Sequence, residues 1–106
     1  MLRTLFFASL CTFAAQAAHA VNFAFVPDAF KLQWQMVPDA KIFLRNLGQF
    51  NPGFQGCCYN YYIDPTTPIG KSQWTVLFAR MTASQGITIG VDAAAQVGPV
   101  TYLGNW

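Results

Sequence analysis

The chain has 106 residues, of which 54% are hydrophobic, 16% aromatic and only 9% charged, with a formal net charge of +2. Low charge with high aromatic content excludes a disordered segment. The cations are scattered singly, which excludes the basic footprint that nucleic acid or anionic lipid requires.

Residues 1–20, MLRTLFFASLCTFAAQAAHA, read as a cleavable signal peptide. Arg3 supplies the positive start, Leu5 to Ala15 the apolar stretch, and Ala18-His19-Ala20 the small-x-small cleavage pattern. The apolar stretch falls short of the roughly 20 residues of a membrane span. Cleavage after Ala20 leaves 106 − 20 = 86 residues, a single small domain over 21–106 that is secreted or periplasmic. His19, the one histidine, and Cys11 depart with the leader. The remaining charges are Lys31, Lys41, Arg45, Lys71 and Arg80 against Asp28, Asp39, Asp64 and Asp92, a balance of 5 − 4 = +1.

The phrase Val-Pro-Asp-Ala occurs at 26–29 and again at 37–40, each time after an apolar run, as turns between strands do. Between the two, Leu32, Trp34 and Met36 alternate with Lys31, Gln33 and Gln35, a half-buried strand pattern. Lys41 to Leu47 reads as the next strand, with Ile42 and Leu44 on one face and Phe43 and Arg45 on the other. Gly48 to Gly56 is a loop, and Cys57 to Ile63 a strand rich in residues that favour extended backbone. Tyr59, Tyr61 and Ile63 share one of its faces; Cys58, Asn60 and Tyr62 share the other. Pro65 and Pro68 stop it.

Thr67-Pro68 is a good helix start, a capping hydroxyl followed by proline in the first turn. Trp74, Leu77, Phe78 and Met81 recur at i, i+3, i+4 and i+7, which predicts one core-facing helical stripe. Gly86 is the expected left-handed stop. Ile87, Ile89 and Val91 then alternate in a strand, and Val100 to Leu103 forms the last. The order predicts an α+β or mainly β domain. Two forms satisfy it: a five-stranded barrel, or a curved antiparallel sheet, with one helix between strands three and four.

The run Ile63-Asp64-Pro65-Thr66-Thr67-Pro68-Ile69-Gly70-Lys71, continuing through Trp74 to Gly86 and the Ile87–Val91 strand, carries a resemblance. It is similar to small secreted bacterial proteins in which Gly-Lys opens a helix and a glycine leads into a Val/Ile strand. That arrangement resembles the pentameric receptor-binding components of bacterial A–B toxins, particularly the subtilase-cytotoxin type. The resemblance implies an OB-fold, a homo-oligomeric ring and a glycan-binding surface. It also implies one cysteine before the helix and one after. Cys57 or Cys58 fits the first, and nothing after Gly86 supplies the second.

Chemistry is scarce in the 21–106 segment. It holds no histidine or glutamate, its aspartates form no recognisable pair, and Gly70-Lys71 lacks the spacing of a phosphate loop. A non-enzymatic role with no cofactor and no metal follows. Cys57 and Cys58 leave three possibilities: a vicinal disulfide, a bridge to another chain, or burial as small hydrophobes. Opposite faces of a strand disfavour the first, and burial of at least one ranks above a redox role. Outward-facing Asn60 and Tyr62, with Phe43 and Arg45 if their strands pair, form the candidate ligand site. Rings against sugar faces with amides and cations for hydroxyls suit a glycan. The same residue types are enriched at interfaces between protein chains, the commoner reason for finding them together. The competing expectation is an envelope or extracellular interaction domain acting through exposed aromatics or an edge strand near Val97 to Trp106.

Overall fold

A computed structural model of the chain describes residues 22–106. The expected signal peptide, with Cys11 and His19, lies outside the described residues. The described residues form six strands and one α-helix: β1 (Phe23–Val26), β2 (Trp34–Met36), β3 (Ile42–Leu44), β4 (Tyr61–Ile63), α1 (Pro68–Thr82), β5 (Ile87–Val91) and β6 (Gly98–Gly104). The strands form one curled mixed sheet in the order β1-β5-β6-β4-β3-β2, so the α+β class holds.

Two details differ from expectation. There are six strands, with the helix between the fourth and fifth, and the sheet is not wholly antiparallel. Helix α1 carries the chain from β4 past one strand position to β5. Strand β6 then returns antiparallel to β5 into the gap and lies parallel to β4. The extra strand arises at the first Val-Pro-Asp-Ala phrase. Pro27 interrupts the pairing, and Asp28 accepts a hydrogen bond from Phe30 N at 3.0 Å to cap a 3-10 turn over Ala29–Lys31. The second phrase makes a β2–β3 hairpin closed by Val37 N donating to Lys41 O at 3.0 Å, with Ala40 in the left-handed region at φ 75°. Strand β6 pairs with β4 through Gly98 and Pro99 and with β5 from Val100 to Gly104, so in the strand order it lies inside the sheet while its end is paired on the β5 side. The edges are β1 and β2, which are consecutive in the chain.

The core lies between α1 and the concave face of the sheet. Alternation sends Ala24, Val26, Ile42, Leu44, Tyr61, Ile63, Ile87, Ile89 and Val100 inward. The helix begins as the sequence suggests: Thr67 Oγ1 accepts from Gly70 N at 3.0 Å and Pro68 follows the cap. Its buried face is Gly70, Gln73, Leu77 and Met81. Trp74 is half-buried and Phe78 is 46% exposed, so only half of the expected stripe is core. Those two rings turn toward the sheet edge, where Trp74 packs edge-on against Trp34 at 5.1 Å. At the helix start, the missing side chain of Gly70 lets the chain pass against the Asp64 backbone. Gln73 is tolerated in the core because its Nε2 donates to Val100 O at 3.1 Å. The helix stop also differs: Ser84, at φ 52°, takes the left-handed position expected at Gly86.

The turn before α1 has a pH signature. Thr66 donates to Asp64 Oδ1 from its hydroxyl at 2.6 Å and its amide at 3.0 Å, which lowers the Asp64 pKa. A folded pKa below the unfolded value means the stabilisation is complete at neutral pH and vanishes as acidification protonates the folded carboxylate. Urea midpoints measured between pH 6 and pH 2 should therefore fall more steeply for the native chain than for Asp64→Asn. Parallel curves would remove this carboxylate as a contributor.

Candidate functional site

The convex face of β2, β3 and β4 carries the residues that alternation points outward. Pairing sets Gln35 beside Phe43, Phe43 beside Tyr62, and Tyr62 beside Pro99. Phe43 and Tyr62, expected to be neighbours, meet edge-on with ring centroids 5.6 Å apart. Tyr59 completes an aromatic trio, its ring 5.4 Å from Phe43. Two cations flank the trio. Lys41 Nζ lies 5.1 Å from the Tyr62 centroid and pairs with Asp39 at 3.4 Å; the Arg45 guanidinium lies 5.6 Å from the Tyr59 centroid. Tyr59 OH donates to Gln35 Oε1 at 2.9 Å. Among the described residues, Arg45 Nε is buried and has no hydrogen-bond partner.

Three of the four sequence candidates, Phe43, Arg45 and Tyr62, are thus brought onto one face. Asn60 sits at its margin and holds the loop: its Nδ2 donates to Gly56 O at 2.7 Å, and its carbonyl accepts from Gly98 N at 2.9 Å. Tyr59, expected on the core face, is instead 49% exposed and lies among the outward aromatics. The strand begins only at Tyr61, so the bends over 57–60 cancel the alternation expected for Cys57 to Ile63. Arg45 likewise follows the end of β3 rather than extending it.

The same bends carry the cysteines. The Cys57 and Cys58 sulfurs lie together across a cis peptide bond, placed as a vicinal pair. Cys57 is exposed and Cys58 half-buried, so the expected burial of at least one does not occur. The argument from opposite strand faces fails because neither residue is in a strand. Gln35, Lys41 and Pro99 belong to the face but escape sequence reading. Alternation alone puts Gln35 opposite Trp34 and Met36; only the β2–β3 and β4–β6 pairings bring it and Pro99 into line.

Two concavities adjoin the sheet. One, of about 150 Å³, lies beside the β5–β6 connection and is lined by Val91, Asp92, Gln96, Val97 and Pro99 among others. The other, of about 200 Å³, is an apolar groove between the 3-10 turn, β2 and α1, lined by Phe30, Leu32, Trp34, Phe78 and Met81 with Thr82. Among the described residues no three His, Cys, Asp or Glu side chains gather where they could hold a metal ion, and no helix is long and apolar enough to cross a membrane. Comparison of the chain with protein-family models, with curated proteins and with solved structures gives no match.

Proposed function

We propose that this chain is an exported, non-enzymatic binding module that holds a glycan on the convex face of β2, β3 and β4, within a homo-oligomeric, toxin-like assembly. The observation that carries the reading is the trio Phe43, Tyr59 and Tyr62 between Lys41 and Arg45, with the Gln35 amide at its border. Rings present faces and edges to the C–H groups of a sugar, while amide, guanidinium and phenol pair with its hydroxyls.

A five-stranded OB-type barrel accommodates the same topology. In that reading β1 and β2 are two halves of one first strand, broken by the 3-10 turn at Ala29–Lys31. The first half pairs with β5 and the second with β3, which brings the two sheet edges together through one continuous segment. The helix then falls between strands three and four of the barrel, and β3 and β4 become its strands two and three. Those strands form the ligand face of OB-folds, which supports the chosen site.

Tyr62→Ala tests the site. Glycan-array binding should fall about tenfold, the effect of losing roughly 1.4 kcal/mol from a central aromatic contact. The melting temperature should stay near that of the native chain, because Tyr62 faces away from the core. Unchanged binding would remove this face as the site.

The second reading, an interaction domain, is favoured by another patch. Phe25, Tyr102 and Trp106 are 54%, 57% and 63% exposed on the convex side of β1 and β6. Native mass spectrometry separates the two. A defined oligomer that binds glycans supports the first; a monomer silent on the array supports the second.

A further inference from the structure

We infer that the binding face extends beyond Tyr62 over Pro99 into the concavity beside the β5–β6 connection, so that its ligand is a linear oligosaccharide of at least three units lying across the strands, with an uncharged sugar in that concavity. The inference rests on the glycan reading above and names the ligand class it entails.

One line of pairing runs through four strands: Gln35 on β2, Phe43 on β3, Tyr62 on β4 and Pro99 on β6. Neighbouring strands are about 4.8 Å apart, so the line spans three gaps, roughly 14 Å. A single pyranose covers about one gap, and only a chain of sugars touches the whole line. Its residues are chemically graded. An amide held by Tyr59 stands at one end, two rings occupy the middle, and the exposed Pro99 ring stands at the other.

Pro99 is also a wall of the concavity of about 150 Å³, so the line does not end on open surface. That space equals roughly five water volumes, room for a ring rather than a chain. Its polar lining is Asp92 and Gln96, both exposed. An ionised carboxylate accepts hydrogen bonds and donates none, so Asp92 selects hydroxyl donors and repels an acidic sugar. Gln96 offers an acceptor and two donors, matching hydroxyls of either sense. Val97, 62% exposed, supplies an apolar wall for the C–H side of a ring. One hydroxyl ties the loop before β4 to the β5–β6 connection beside the concavity, since Tyr61 OH accepts from Gln55 N and donates to Ala94 O.

The test is isothermal titration of the 21–106 chain with glucose, galactose, mannose and N-acetylglucosamine, and with their linear di-, tri- and tetrasaccharides. At least one series should bind, tightening by about tenfold or more from monosaccharide to trisaccharide and levelling thereafter. Asp92→Ala and Gln96→Ala should each weaken the trisaccharide about fivefold, the scale of one hydrogen bond, and leave the monosaccharide unchanged. Equal affinity for one and three units, with both variants silent, overturns the extended site while leaving a glycan site intact. Binding confined to carboxylate-bearing sugars on an array overturns the uncharged unit in the concavity. No saccharide binding in any format overturns the glycan reading and the extension together.

Discussion

Gly70→Ala is expected to lower the unfolding free energy by about 3 kcal/mol or more, through overpacking together with loss of a helix cap. A Cβ at this position would overlap the Asp64 carbonyl oxygen, and would lie 2.5 Å from that carbonyl's carbon and 2.8 Å from Thr67 Oγ1. Backbone atoms cannot swing aside as a flexible side chain does. The Asp64 oxygen is also committed, accepting from Thr67 N at 3.1 Å and Thr67 Oγ1 at 2.8 Å. Relieving the overlap therefore means pulling the helix start away from the chain that caps it, and with it Gln73 and Leu77 from the sheet. The residue is glycine for closeness alone, since no glycine of the described chain has a positive φ. For a domain of this size, with total stability of roughly 4–13 kcal/mol, the loss is a large fraction. The measurement is the urea midpoint of Gly70→Ala beside that of Ile69→Ala, whose side chain is exposed one residue earlier. Equal midpoints for Gly70→Ala and the native chain would mean the helix does not approach Asp64 so closely.

Tyr61→Phe should cost about 1–3 kcal/mol while leaving the ring packed, the range for stranding buried hydrogen-bond partners. The ring lies in the core against Phe54 at 5.1 Å, and the hydroxyl alone reaches past it. It accepts from Gln55 N at 2.7 Å and donates to Ala94 O, which lies 33 residues further along the chain than Tyr61. Gln55 Nε2 donates to Ala95 O and adds a second tie between the same loops. These loops carry Tyr59 and Asn60 on one side and Asp92 and Gln96 on the other, so the variant should loosen the margins of the proposed binding face. Two readouts follow: a lower urea midpoint, and faster amide exchange at Gln55 than in the native chain with little change at Ile87 or Ile89. Native exchange at Gln55 would show that the hydroxyl does not hold the loop.

Local signals suffice where a segment's structure depends on its own residues. Thr67-Pro68 opens the helix, Val-Pro-Asp-Ala makes a turn at both of its occurrences, and the Ile87–Val91 alternation is a strand. They fail where a neighbour decides. Trp74 and Phe78 lie on the predicted stripe, yet Trp74 is only half-buried at the core's margin against Trp34 and Phe78 is exposed, the buried face running through Gly70, Gln73, Leu77 and Met81. Extending a strand pattern through 57–60 turns Tyr59 inward, whereas the backbone bends there and leaves it on the outer face.

The candidate site divides in the same way. Residue chemistry singles out Phe43, Arg45 and Tyr62, and the lack of a histidine beyond residue 20 or of any glutamate is what favours a proposal of binding over acid–base catalysis. By itself the sequence determined a small α+β domain, its helix, most of its strands and the inward or outward sense of residues in β3 and β4. These follow from caps, prolines and periodicity over a few positions. Trp34 and Met36 of β2, expected to be half-buried, are instead 42% and 53% exposed at the sheet edge. Only the tertiary structure decided the strand order. The line from Gln35 through Phe43 and Tyr62 to Pro99 joins positions from 35 to 99, and pairing between distant strands depends on which edges the helix crossover leaves adjacent. No local pattern encodes that choice, because hydrogen-bonding backbone is the same at every strand and only the packing of the whole sheet against α1 distinguishes one partner from another.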